Sequence, residues 1–121
     1  MRDIKFRGYH DNEGWVVGSL FISSLNSRHI VRNEHECPLI VHPDSVGEYI
    51  GLEDINGDDI CEGDIVEFYE SNDDICMGYV EYDTDYYVPV FCIVTMDGEI
   101  ETCFDGVEII GNLYENKDLI K

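Results

Sequence analysis

Pro43-Asp44-Ser45-Val46-Gly47-Glu48-Tyr49-Ile50-Gly51-Leu52-Glu53-Asp54-Ile55-Asn56-Gly57-Asp58-Asp59-Ile60-Cys61-Glu62-Gly63-Asp64-Ile65-Val66 carries more architectural information than any other part of this chain. Gly47, Gly51, Gly57 and Gly63 punctuate short apolar pairs. Each is a candidate for positive φ or for close approach of two backbones. Asn56-Gly57, between Leu52 and Ile60, marks a tight turn whose composition suits type I′. Asp64, beside Gly63, is placed to accept backbone N–H bonds and brace the bend. Such a segment describes tightly folded backbone rather than catalytic machinery.

The flanking sequence continues the pattern. Ile4 and Phe6 alternate with Lys5 and Arg7, the Asp11–Gly14 cluster turns the chain, and Trp15 to Ile22 returns it, so an N-terminal antiparallel hairpin is expected. Residues 23–38 are polar and without period, which reads as a loop or irregular excursion. Leu39-Ile40-Val41 is a short strand stopped by His42-Pro43. Asp44–Tyr49 could form one helical turn, cut short by Gly47 and Gly51. Strands are then expected at 64–69, 77–82 and 88–96, and at 99–104 with Ile100, Thr102 and Phe104 on one face. A last strand is expected near 107–110. The turns between them carry Gly, Asp and Asn, at Ser71–Asp74, Asp97-Gly98 and Asp105-Gly106. The tail from Leu113 to Ile120 has room for one helical turn. The expectation is one mainly β domain over 1–121, with the hairpin and irregular segment in 1–42. A small SH3-like or related antiparallel β-barrel should occupy 43–121.

Composition narrows the classes further. In 121 residues, 44% are apolar and 12% aromatic, which separates the chain from disordered acidic segments. No apolar run approaches the roughly 20 residues of a membrane-spanning helix. Met1-Arg2-Asp3-Ile4-Lys5 lacks the apolar core of a secretory signal, so the protein is expected in the cytoplasm. Cys37, Cys61, Cys76, Cys92 and Cys103 are odd in number and form no C-x-x-C pair, which points to reduced thiols. The net charge is −20. Five of the seven cations lie in residues 1–32, and none stands between Asn33 and Asn116, where 23 of the 27 carboxylates fall. Phosphate contacts need a basic face, so direct nucleic-acid binding is disfavoured, and so is binding to an anionic membrane surface.

Two constellations bear on chemistry. Asp54–Asp59 is rich in carboxylates around Gly57. As an EF-hand it fails, because Leu52 and Gly63 then occupy positions where acids are required; a hairpin turn with solvated acids is the simpler reading. His29, His35, Cys37 and His42 follow H-x5-H-x-C-x4-H, whose spacing is not that of paired structural zinc ligands. A loop that happens to hold histidines is preferred to a metal site, and no metal or other cofactor is expected. No nucleophile elbow and no phosphate loop is present, so the chain does not read as an enzyme.

Three ordered blocks carry a family resemblance. Ile4-Lys5-Phe6-Arg7-Gly8 followed by Gly14–Leu20, then Val46–Gly57 with Ile60–Val66, and finally Ile109–Asn116 including Gly111-Asn112, resemble the YopX family of phage and prophage proteins. The resemblance implies a mostly β protein with a small barrel, encoded by a bacteriophage or prophage. It brings no established activity and no catalytic residues. Ile50 stands where the family pattern suggests threonine, and Lys117 where proline is common. The expected role is a protein-interaction module of unknown partner, homo-oligomer included. The alternatives are an acidic DNA mimic that occupies a basic host protein, or a metal protein or enzyme using residues 29–42.

Overall fold

The computed structural model describes residues 4–70, 73–83 and 90–120. The described chain is mainly β, with short 3-10 turns at Pro43–Ser45 and Lys117–Ile120 as its helical elements. It divides into two compact units, Met1–Tyr49 and Ile50–Lys121, whereas the sequence suggests one domain with an internal boundary near residue 42.

In the first unit the hairpin forms as expected, from β1 (Phe6–His10) and β2 (Gly14–Ile22), paired from Phe6↔Gly18 to His10↔Gly14. The segment read as irregular contains a strand, β3 (Arg28–Val31), which pairs with β2 and with β4 (Leu39–Val41). The start of β5 (Gly47–Glu53) pairs with β1, so the order is β4-β3-β2-β1-β5. Alternation places Val16, Ile30 and Val41 in a buried cluster with Phe6, Leu20, Leu39 and Val46 packed against it. The sheet curls until the end of β4 reaches β1. The His42 N–H donates to Tyr9 O at 3.0 Å, and the buried Ser45 hydroxyl accepts from Tyr9 N at 2.7 Å while donating to His42 O at 2.6 Å. Gly8 permits this closure, because a Cβ there would stand 2.7 Å from Val41 Cγ2. In place of a helical turn over 44–49, Pro43–Ser45 makes a 3-10 turn and Gly47 already belongs to β5.

The second unit begins with the rest of β5, which pairs with β6 (Asp59–Cys61). A five-stranded antiparallel sheet follows, in the order β10-β9-β8-β7-β11. Its strands are β7 (Asp64–Tyr69), β8 (Ile75–Asp83), β9 (Val90–Thr95), β10 (Ile100–Glu101) and β11 (Glu108–Asn112). The outer ends of two sequence expectations, Ser71-Asn72 and Val88-Pro89, lie outside the described residues. Ile50 and Ile60 from the β5–β6 ribbon pack with Val66, Val80, Ile93, Phe104 and Val107. Among the described residues, ribbon and sheet share a core but no hydrogen-bonded ladder. Single bonds such as Ile55 N–H to Val107 O, at 3.0 Å, tie them together. The described strands therefore form open antiparallel sheets, packed here as in a sandwich, and no closed barrel. The strand expected over 99–104 stops at Glu101, whose carboxylate takes the Cys103 N–H at 2.9 Å. Ile100 is consequently exposed while Phe104 enters the core.

One turn design recurs. At Ser23–Ser27, Asp54–Asp58, Glu70–Asp74 and Thr95–Glu99, the first residue's carbonyl accepts from the residue three on. Its N–H donates to the carbonyl four on, at 2.8–3.0 Å. The residue three on has positive φ: Asn26 67°, Gly57 83°, Asp73 67°, Gly98 84°. At Ser23–Ser27, Asp54–Asp58 and Thr95–Glu99, where every residue is described, this is a type I turn closed by a bulge residue in the left-handed region. Asn56 is not among the positive-φ residues, so Asn56-Gly57 is not type I′.

Candidate functional site

The signature segment spends its polar groups on its own backbone. Asp54 is buried, 8% exposed. Its Oδ1 accepts from the N–H of Asn56 and of Asp58, both at 2.9 Å, and its Oδ2 accepts from Ile109 N at 3.0 Å. Burial pushes the carboxyl pKa upward, but these backbone donors outweigh it and hold the group below the ordinary carboxylate range. Its side chain thereby fixes the turn as type I and ties it to β11. Asn56 Nδ2 adds a bond to Glu108 Oε2 at 3.2 Å. Asp64, 2% exposed, accepts the Cys61 N–H at 2.7 Å across the bend at Gly63.

The glycines divide between two roles. Gly51, Gly57 and Gly63 have φ of 88°, 83° and 94°, whereas Gly47 is buried without positive φ. In the closing signature, Asn112 N–H donates to Asn116 Oδ1 at 3.1 Å, and Asn112 Oδ1 accepts from Glu115 N at 2.9 Å. A Cβ on Gly111 would meet Asn116 Oδ1 at 2.7 Å. These residues hold turns and close approaches, and a reading of Asp54 as a solvated acid misses its burial. The pattern Asp-x-Asn-Gly, an acceptor side chain two residues before a donor in a turn, is the signal that could have found it.

The His/Cys set is dispersed. His29 lies on β3 opposite Phe21 and Ile40, its ring 5.8 Å from that of Phe21. His35 is on an exposed loop, its N–H donating to Asn33 Oδ1 at 2.8 Å. Cys37 is exposed. His42 Nε2 meets Asp11 Oδ1 at 2.6 Å, and its ring stacks on Tyr9 with centroids 6.4 Å apart. Among the described residues, no group of three or more His, Cys, Asp or Glu side chains is placed to hold a metal ion. Of the thiols, Cys61 and Cys92 are buried. The Cys76 thiol is raised to about 11, first by its hydrogen bond with Glu70, then by desolvation and by the charges of Glu70, Asp97 and Asp74. That is the opposite of an activated nucleophile.

A different surface stands out in the first unit. On the side of the sheet away from its core, Phe21, His29 and Ile40 lie directly across β2, β3 and β4 from one another. Phe21 is 52% and Ile40 56% exposed, and Ile22 and Leu25 at the end of the same hairpin are exposed as well. Further along this side, the Arg7 guanidinium sits 4.9 Å over the Trp15 ring, and Tyr9 packs edge-on to Trp15 at 5.5 Å. Contiguous exposed apolar side chains on a sheet face are a feature of interaction surfaces.

No helix among the described residues is long and apolar enough to cross a membrane. In comparisons with known proteins, the family model described as YopX protein matches residues 5–121, essentially the whole chain. No curated protein matches it.

Proposed function

We propose, because this chain belongs to the YopX protein family, that it is a phage- or prophage-encoded accessory protein of the bacterial cytoplasm that acts without catalysis, by binding another protein or a second copy of itself. The observation that carries this reading is the exposed row Phe21–His29–Ile40, which leaves two large apolar side chains in water on either side of a histidine. The consumption of Asp54 and Asp64 by backbone donors supports it, since the most distinctive acids of the family signature are already committed to structure. Sedimentation velocity on the wild type and on a Phe21→Ser, Ile40→Ser double variant tests it. Association that disappears in the double variant, with the thermal melt unchanged, is the expected outcome. A wild type that stays monomeric and cross-links to no host protein would overturn it.

A second reading has its own support. Residues 50–121 hold twenty carboxylates against two cations, and a surface of that kind could present phosphate-like charge to a basic host protein. Such a mimic competes with duplex DNA for that protein. The competition weakens with salt and is lost when several acids are replaced by their amides.

A further inference from the structure

Every cation of the first 32 residues belongs to the first unit, where five cations meet seven carboxylates. Lys5 and Arg32 face a common open cleft of about 460 Å3 on the outer side of that unit's sheet. Val17, Ser19 and Val31 form its floor, two apolar side chains flanking a hydroxyl. The cleft is held in place by the fold. Lys5 is fixed through its carbonyl, which accepts the Tyr49 N–H at 2.9 Å. Gly18 lets β3 press against β2, because a Cβ there would collide with Val31 O and stand 3.0 Å from Arg32 Cα. That approach brings Arg32 to the rim. One of its amino groups is steadied by Glu36 at 2.6 Å and Glu13 at 3.6 Å. A guanidinium has five donors in a planar fork, so this pairing orients the group and leaves N–H bonds to give.

We infer that this cleft binds an oxyanion, a carboxylate or phosphate, between the Lys5 ammonium and the Arg32 guanidinium, with the ligand's apolar portion against Val17 and Val31. The volume is that of a small-molecule site, and lysine, arginine and serine side chains lining one cleft beside two valines are the chemistry by which such sites fix an anion. The inference is independent of the apolar row of Phe21 and Ile40. Two sources share this chemistry: a free small anion, and an acidic turn of a second copy such as Asp97-Gly98-Glu99.

Amide NMR of the full chain, titrated separately with inorganic phosphate and with an amidated peptide spanning Met96–Glu101, tests it. Saturable shifts confined to Lys5, Gly18, Ser19 and Arg32 are expected. Lys5→Ala should weaken binding about tenfold, the loss of one charge-assisted contact, while Lys117→Ala leaves it unchanged. Tighter binding of the peptide, with self-association in sedimentation that Lys5→Ala abolishes, assigns the site to a second copy. Phosphate binding by a monomer assigns it to a free anion. Shifts that never saturate, that sodium chloride reproduces, or that persist at equal affinity in Lys5→Ala overturn the inference.

Discussion

Asp54 engages both of its carboxylate oxygens with the main chain, two bonds within its own turn and one to Ile109, 55 residues on. Asp54→Asn leaves one side-chain oxygen for three donors and turns an amide N–H toward one of them. Urea denaturation should show a loss of about 2–4 kcal/mol. The pH dependence has a definite sign. A carboxyl depressed on folding binds fewer protons native than unfolded, so its stabilisation is complete above the unfolded value near 4 and lost as pH falls through the lower folded value. Acid titration of stability should therefore be shallower below about pH 4 in Asp54→Asn than in the wild type. Two glycines separate conformational strain from collision. A Cβ at Gly57 meets nothing within 4 Å, so Gly57→Ala should cost only about 1–2 kcal/mol, the strain of its positive φ. At Gly18 the added carbon strikes the Val31 carbonyl, and Gly18→Ala should unfold the first unit, seen as loss of amide protection at Val16 and Ile30.

Between strands, cross-sheet pairs set the energetics. Glu67 on β7 lies directly opposite Glu108 on β11, an arrangement that repels. Glu67→Lys should raise stability by about 0.5 kcal/mol at low ionic strength, and added salt should shrink the gain, as paired denaturation curves can show. Pairing of this kind also marks the limit of what the sequence makes legible. β1, β2, β7 and β8 announce themselves through alternation and through Gly, Asn and Asp at their ends. β3 does not: Arg28-His29-Ile30-Val31 has one fully buried residue, and its strand character comes from partners at 19–22 and 39–41. The turn at Asn56-Gly57 is visible, but its type depends on the Asp54 carboxylate. The His/Cys set looks concentrated along the chain because sequence spacing cannot show that His29 enters a strand while His42 turns to Asp11. The apolar row of Phe21 and Ile40 is hidden for a related reason. Alternation tells which residues share a side of a strand, and only the register of three strands brings these two into line.

Charge divides the protein along the same boundary as its fold. Residues 1–49 carry five cations and seven carboxylates, a net −2, whereas residues 50–121 carry two cations and twenty carboxylates, a net −18. Few of the second unit's acids have a cation of their own unit to meet, so they repel one another. At about 0.01 M salt this repulsion reaches roughly 30 Å, the dimension of a small domain, and at 0.1 M about 10 Å. Screening should therefore stabilise residues 50–121 by on the order of 1 kcal/mol across that range. The first unit, close to balance and holding pairs such as Arg32–Glu36, should gain little and lose part of its attraction. Residue-resolved hydrogen exchange separates the two. Protection at Val66, Val80 and Ile93 should rise with sodium chloride, while protection at Val16, Ile30 and Val41 stays level or falls. An equal rise in both clusters would mean that salt acts through apolar burial or through the chain as a whole. A rise confined to the second cluster would locate the electrostatic cost in the acidic unit, the part that a basic partner would relieve on binding.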